Sequence, residues 1–422
     1  MKRPNDPVVY ILKANVINVD LSPCGGAERL TLVTMCALSE KGIRFDLTTC
    51  IQPNAKKLEN AYGTKLASIF KKTERINILH SLEDAAIDNI VQKGNYDITI
   101  NTDGDTLPFY HYSFSKENAI TYCHFPTAKY HIDSENLEYL RDIRITNISQ
   151  IHDRDFSKRN AAANLDPETK HKAKNYFRFL RAKYESLMKN TLVLTNSQYC
   201  HNAIRSALNI DAKILYPPVD VDTFHDITMK SGQREDLILV ISRIAPDKQI
   251  ENAIELARIM RDRSIGKAMI IVGNLDHYDY DYCQSLKKMI AIYDLSNYVS
   301  LQINTSFSKL IQLMQLAKVY FHPRIDEHFG ISTAEAMAAG LVPVVSYVGG
   351  HTEFVPSKYH FHTLHHAAEL IALAFEVTDS ERRFISKSTF KFSNKNYIQS
   401  FHSILSELFD KRSLVDIDVP NF

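Results

Sequence analysis

Glu327-His328-Phe329-Gly330-Ile331-Ser332-Thr333-Ala334-Glu335-Ala336-Met337-Ala338-Ala339-Gly340, followed by Val342-Pro343-Val344-Val345 and then Gly349-Gly350, is the stretch on which the fold turns. It reads as a loop, a helix opening near Gly330, a left-handed stop at Gly340, a buried strand and a second glycine turn. Glu327 falls on the loop and Glu335 on the first turns of the helix. A carboxylate at a helix start, taken alone, complements the helix dipole and contributes about 0.3–1 kcal/mol. Glycines at such turns also expose amide N–H groups beside a helix N-terminus, where donors and dipole together can hold a phosphate.

Working outward, short β-rich runs alternate with helical stretches. Leu237–Ser242, Ala268–Gly273, Val299–Ile303, Val319–His322 and Leu341–Ser346 read as strands. The stripes Ile250, Ile254, Leu256, Ala257, Ile259 and Leu310, Leu313, Met314, Ala317 recur at helical spacing between them. That alternation predicts βαβ units, a parallel sheet and a Rossmann-like domain. The first half predicts strands near Val8–Val19, Phe45–Cys50, Ile76–Leu79, Tyr96–Asn101, Thr121–His124 and Leu192–Asn196. Tyr216-Pro217-Pro218 forces extended backbone and predicts a linker. From Lys129 to Asn190 runs a polar, charge-rich insertion. It ends in a helix whose Tyr176, Phe179, Leu180, Tyr184, Leu187 stripe is predicted to face the core.

The 422 residues, 45% hydrophobic and 23% charged, suit two or three globular domains. A formal net charge of +1 gives no global field of the kind that gathers nucleic acid. The six cysteines form neither a CxxC pair nor a Cys/His cluster, which points to a reduced, cytoplasmic protein without a metal site. Lys13 interrupts the apolar run from Val8, and no segment approaches the ~20 apolar residues needed to span a bilayer. A soluble or peripherally attached protein is expected.

The two glutamates eight positions apart, with the Gly-Gly turn after them, resemble the carboxy-terminal signature of glycosyltransferase family 4. Ile241-Ser242-Arg243-Ile244-Ala245-Pro246-Asp247-Lys248 resembles the family's strand-end Arg and Lys pair. Pro23-Cys24-Gly25-Gly26-Ala27-Glu28-Arg29 resembles its glycine-rich first loop, with Pro23 and Cys24 where a further glycine is frequent. His124-Phe125-Pro126 resembles the motif that sets a histidine beside the transferred sugar. The motifs before Pro218 look most like the branch that adds α-1,2-linked mannose to lipid-linked oligosaccharides.

The resemblance implies an α/β protein of GT-B architecture, two facing Rossmann-like domains with an interdomain cleft. It divides the chain into an acceptor-side domain at 1–217 with an insertion about 129–190, a nucleotide-sugar domain at 218–395, and a carboxy-terminal helix, 396–422, packing back on the first. It implies a metal-independent, retaining transferase that moves a hexose, mannose from GDP-mannose, onto an acceptor hydroxyl of a lipid-linked glycan or other oligosaccharide. No cofactor is implied; the nucleotide diphosphate sugar is a co-substrate. Glu335 would hold the ribose hydroxyls, Glu327 the hydroxyls of the sugar, and backbone amides from Gly330 to Thr333 the diphosphate; Phe329, Gly330, Ile331 and Ser332 are counted among the donor-binding residues. Arg243 and Lys248 would face that diphosphate and stabilise charge on the leaving group. Gly25 and Gly26 would approach the donor, and His124 the transferred sugar. No carboxylate nucleophile is apparent, so the departing phosphate would help deprotonate the acceptor. Two other readings stay open: a sucrose- or starch-type synthase or phosphorylase with a soluble acceptor, and a non-catalytic nucleotide-sugar-binding subunit. The tract Lys170, Lys172, Lys174, Arg178, Arg181, Lys183, interleaved with Tyr176, Phe177 and Phe179, reads either as a helix resting on the cytoplasmic face of a membrane or as a solvated helix face.

Overall fold

A computed structural model describes residues 11–79, 89–90, 93–104, 114–136, 167–230 and 232–415. The chain forms two compact units. The first comprises Met1–Asn196, Cys200–Leu215 and Ile398–Phe422; the second comprises Ser197–Tyr199 and Tyr216–Tyr397.

Each unit is built on one parallel sheet. The first carries β1 (Lys13–Ile17), β2 (Arg44–Thr49), β3 (Ile76–Ile78), β4 (Ile98–Asn101), β5 (Ala119–Tyr122), β6 (Leu192–Thr195) and β7 (Lys213–Ile214), in the order β3-β2-β1-β4-β5-β6-β7. The second carries β8 (Glu235–Ile241), β9 (Ala268–Gly273), β10 (Val299–Ile303), β11 (Ala317–Phe321), β12 (Val342–Ser346) and β13 (His360–Phe361), in the order β10-β9-β8-β11-β12-β13. In both sheets the order reverses beside the first strand, which leaves a topological switch point at the carboxyl ends of the strands.

The sequences of these strands follow from that layering. A parallel sheet covered by crossover helices is buried on both faces, so its strands are continuously apolar rather than alternating. All five residues of β12 are buried, as are all four of β4 and of β5. Helix Glu251–Asp262 turns Ala253, Ile254, Leu256, Ala257, Ile259 and Met260 inward, close to the predicted stripe. Side-chain caps open several helices: Asn54 accepts from the Lys57 amide at 3.0 Å, and Thr363 from the His366 amide at 3.1 Å.

Three details differ from the sequence reading. Ala317 opens β11 instead of ending helix Phe307–Leu316. Among the described side chains of helix Pro167–Lys189, Phe177, Leu180, Tyr184 and Met188 are buried and Phe179 is exposed, and Leu187 lies outside the described side chains. A helix that buries positions 177, 180, 184 and 188 necessarily turns 179 outward. The strands β7 and β13, two residues each, are too short for their periodicity to register. Residues 137–166 of the insertion, and the Val8–Tyr10 part of the predicted first strand, lie outside the described residues.

Candidate active site

The carboxy-terminal unit gathers most of the predicted residues at the ends of β8 and β11 and on helix Ile331–Ala338. Glu327 lies on the loop after β11, and its backbone is tied to the glycine turn. Gly349 forms a parallel bridge with Glu327, and the Gly350 amide donates to the Glu327 carbonyl at 2.8 Å. A Cβ on Gly350 would stand 2.0 Å from the His328 carbonyl oxygen, and one on Gly349 would stand 2.5 Å from that of Glu327. The Gly-Gly pair is therefore required by backbone packing against the glutamate loop.

The Glu327 side chain is 11% exposed and sits among cations and donors. Oε2 accepts from Lys248 Nζ at 3.1 Å and from His322 Nε2 at 3.1 Å, and Oε1 accepts from the His328 amide at 3.1 Å. Burial alone would raise this carboxyl. Lys248, His322 and Arg324 outweigh it and hold Glu327 well below the usual carboxylate range. Next to it, burial and the Arg324 charge push the His328 imidazole down to about 4, so it is neutral at physiological pH.

Arg243 and Lys248 are placed differently from each other. Lys248, on the short 3-10 turn Pro246–Lys248, is mostly enclosed and bound to Glu327. Arg243 is 53% exposed and pairs with Asp247 at 3.3 Å. Asp247 also lies 3.7 Å from Lys248 Nζ and 3.8 Å from Arg324 Nη1, so one carboxylate holds three cations together. An exposed pair of the Arg243 type is worth about 0–1 kcal/mol, which leaves the guanidinium available to a stronger anion.

Helix Ile331–Ala338 begins at Gly330, whose φ of +90° favours glycine, and its first amides have no carbonyl partner within the helix. Gly340, at φ +80°, follows its last turn. Its base is held by Arg234 Nη2, which donates to the Ala339 carbonyl at 2.6 Å, and by Thr228 Oγ1, which donates to the Ala338 carbonyl at 2.8 Å. Phe329 is buried, and its ring meets Phe354 and Phe392 with centroids 5.1 Å away in each case, so only its backbone is offered to a ligand. Ile331, Ser332 and Glu335 are partly exposed along the helix.

Gly25, Gly26 and His124 belong to the amino-terminal unit. Gly25 caps helix Gly26–Glu40, and its own amide donates to Glu28 Oε2 at 2.5 Å, the half of a capping box open to a residue without a side chain. His124, just past β5, donates from Nε2 to the Thr102 carbonyl at 3.0 Å, an oxygen that can only accept. Nδ1 of the neutral ring is then a bare acceptor. Burial lowers the His124 pKa, against a smaller opposing effect of the Thr102 carbonyl. Thr102 Oγ1 meets Thr31 Oγ1 at 2.8 Å, and Thr31 donates to the Ala27 carbonyl at 3.0 Å. The first turn after the glycines and the histidine are thus braced by the same pair of threonines.

Sequence reading missed His322 and Arg324. The signal for His322 was available, a histidine at the carboxyl end of a predicted central strand, where ligands gather in open α/β sheets. Arg324 carries little local signal: beyond its neighbour Asp326, at 3.0 Å, its partners Asp247 and His328 are brought to it by the return of the loop. Among the described residues no group of three or more His, Cys, Asp or Glu side chains could hold a metal ion. Among them, too, no helix is long and apolar enough to cross a membrane.

Comparison with known proteins agrees with this fold. Residues 224–389 match the family of glycosyl transferases group 1. The chain is 28% identical over 241 residues to GDP-Man:Man(3)GlcNAc(2)-PP-Dol alpha-1,2-mannosyltransferase of Dictyostelium discoideum, a match covering 52% of this chain and 48% of that enzyme. It is 29% identical over 176 residues to the O-antigen chain mannosyltransferase RfbU of Salmonella typhimurium, covering 41% of this chain and 46% of that one. The chain thus spans about half the length of these curated relatives. A glycosyltransferase from Rickettsia africae superposes with a TM-score of 0.64 at 13% identity, covering 94% of this chain and 99% of that one. Anabaena Alr3699/HepE in complex with UDP and glucose superposes with a TM-score of 0.62 at 16% identity, covering 94% and 100%. Fold and site together define the class, a GT-B protein of two parallel-sheet units. Its carboxy-terminal unit carries, over residues 224–389, the match to the group 1 glycosyl transferases.

Proposed function

We propose that the protein transfers mannose from GDP-mannose, with retention of configuration and without a metal, to a hydroxyl of a lipid-linked glycan. The observation that carries this reading is Glu327, a buried carboxylate kept ionised by Lys248, His322 and Arg324 beside the open amides of helix Ile331–Ala338. In this assignment Glu327 accepts hydrogen bonds from the sugar hydroxyls and Glu335 from the ribose. The amides from Gly330 to Thr333 take the diphosphate. Arg243 leaves Asp247 for the diphosphate, and with Lys248 it offsets the charge that grows as the sugar–phosphate bond breaks. His124 accepts a sugar hydroxyl at Nδ1, which its low pKa keeps unprotonated. Mannose is supported by the names of both the Dictyostelium and Salmonella relatives, and GDP-mannose and the lipid-linked acceptor by the Dictyostelium name.

The direct test is a panel of nucleotide sugars read by thermal shift and by donor hydrolysis, with and without EDTA. GDP-mannose is expected to stabilise the protein and to be turned over equally in both conditions. A response confined to another donor, or one that requires manganese, would reject the reading.

A lipid-linked acceptor calls for membrane contact in the amino-terminal unit. Helix Pro167–Lys189 exposes Phe179, Lys174 and Arg178, and the neighbouring helix Thr127–Asp133 exposes Tyr130. Arg181 is tied to Asp133 at 2.8 Å and so contributes less to an anionic surface. In vesicle flotation the protein is expected to rise with anionic liposomes, to be released by high salt, and to lose most of its binding in a Phe179→Ser, Lys174→Gln, Arg178→Gln variant. Flotation indifferent to those substitutions would remove this surface from the account.

A further inference from the structure

Beneath the site runs an unbroken chain of side-chain hydrogen bonds. Ser332 Oγ, in the first turn of helix Ile331–Ala338, lies 2.8 Å from Tyr320 Oη, and that oxygen lies 2.8 Å from His322 Nδ1. His322 Nε2 then meets Glu327 Oε2 at 3.1 Å. Tyr320 is fully buried and His322 is 2% exposed, so neither can substitute water for a lost partner.

The direction of each bond follows from chemistry. A carboxylate can only accept, so Nε2 carries the proton toward Glu327. In the neutral ring Nδ1 is then bare and must accept from the Tyr320 hydroxyl, whose oxygen is left to accept from Ser332. Burial pushes the Tyr320 hydroxyl up, and this keeps it protonated and able to donate. Oε2 of Glu327 is filled by His322 and Lys248, and Oε1 holds the His328 amide. The acceptor capacity left on the carboxylate is therefore concentrated on Oε1.

We propose that Tyr320 and His322 are positioning residues, a buried relay that fixes the Glu327 carboxylate so that Oε1 faces the donor sugar and couples it to Ser332 at the start of the diphosphate-binding helix. The relay rests on the assignment of Glu327 to the sugar hydroxyls. Unpaired, the Glu327 side chain would have a choice of rotamers and of which oxygen it presents; with Nε2 held in one tautomer by Tyr320 it has one.

Four variants read with GDP-mannose for turnover and GDP for binding test this. Tyr320→Phe keeps the ring and its packing but removes the hydroxyl. Its kcat is expected to fall about ten- to a hundredfold, the range for a hydrogen bond serving a charged group, while the GDP dissociation constant stays within threefold. His322→Gln retains an N–H that can reach Oε2, and should keep at least about fivefold more kcat than His322→Ala. A purely structural role predicts the opposite pattern, with GDP binding and thermal midpoint falling together with kcat and no advantage for glutamine. That pattern, or a Tyr320→Phe kcat within twofold of wild type, overturns the relay. Glu327→Gln run in parallel separates the two levels: if it is inactive while Tyr320→Phe is unaffected, only the relay has failed. If Glu327→Gln turns over like wild type, the assignment of Glu327 has failed and takes the relay with it.

Discussion

Glu327→Gln is expected to lower kcat for donor turnover by about 10²–10³ while changing nucleotide affinity by less than tenfold. Removing one preorganised polar group that acts on the developing charge has effects of that order. Glutamine fills the same volume, but it turns an acceptor-only carboxylate into a group with a donating end. Whichever way the amide faces, either Lys248 and His322 meet an N–H, or the sugar does. The substitution also removes the carboxylate that Lys248 meets at 3.1 Å and His322 meets at 3.1 Å, which leaves the Lys248 ammonium with only the more distant Asp247 to oppose it, at 3.7 Å. Steady-state turnover and isothermal titration with GDP separate the two effects. Turnover within threefold of wild type would remove Glu327 from the chemistry.

The same carboxylate sets a pH expectation. Its folded pKa lies well below the ordinary 4.5. The stability contributed by the cluster is therefore complete above about 4.5 and is lost only as pH falls through the lower folded value. The acid limb of the unfolding curve should flatten in Glu327→Gln, and Glu327 should impose no titration on activity in the neutral range.

Gly350→Ala is the second large effect. The added methyl would stand 2.0 Å from the His328 carbonyl oxygen and 2.9 Å from Ser197 Cβ, and the first of these neighbours is backbone that cannot rotate away. The turn and the 327–330 loop must separate, which breaks the hydrogen bond from the Gly350 amide to the Glu327 carbonyl. Overpacking of this kind typically costs about 1–3 kcal/mol, and over a unit of this size that lowers the thermal midpoint by roughly 2–10 °C. Turnover should fall more than a hundredfold, because a misplacement of about 1 Å at a catalytic group is enough for that. Calorimetry and the turnover assay check the pair of effects. A fully active, equally stable variant would show that the glycine turn does not hold Glu327.

What could be read beforehand and what could not divide along a physical line. The strands of the second sheet were legible because parallel strands under helices are uniformly apolar and bounded by turns, as in β9 and β12. Helix Ile331–Ala338 was legible because Gly330 and Gly340 bracket it. Glu327 and Glu335 drew attention through their spacing and their resemblance to a known signature, not through any property of a lone glutamate. The Gly349-Gly350 pair was read as a turn suited to phosphate, yet its packing against Glu327 and His328 is a tertiary fact that spacing cannot express. His322 and Tyr320 were hidden for a related reason. Their importance lies in which atoms face which across 12 residues, from Tyr320 to Ser332, and a strand end reads the same whether its histidine is bonded or idle. In helix Pro167–Lys189 the aromatic residues at 176, 177 and 179 fit more than one helical stripe, so the buried face was assigned one position away from Phe177.

The most direct measurement is the stereochemistry of the reaction itself. Purified wild-type protein incubated with GDP-α-mannose in heavy water, and followed by proton NMR from the first minutes, reports the anomer formed before mutarotation. α-Mannose, or an α-mannoside when an acceptor is supplied, is expected to appear first, and Glu327→Gln is expected to slow its appearance by about 10²–10³. A β product formed first, or formation in Glu327→Gln within threefold of the wild-type rate, would contradict this.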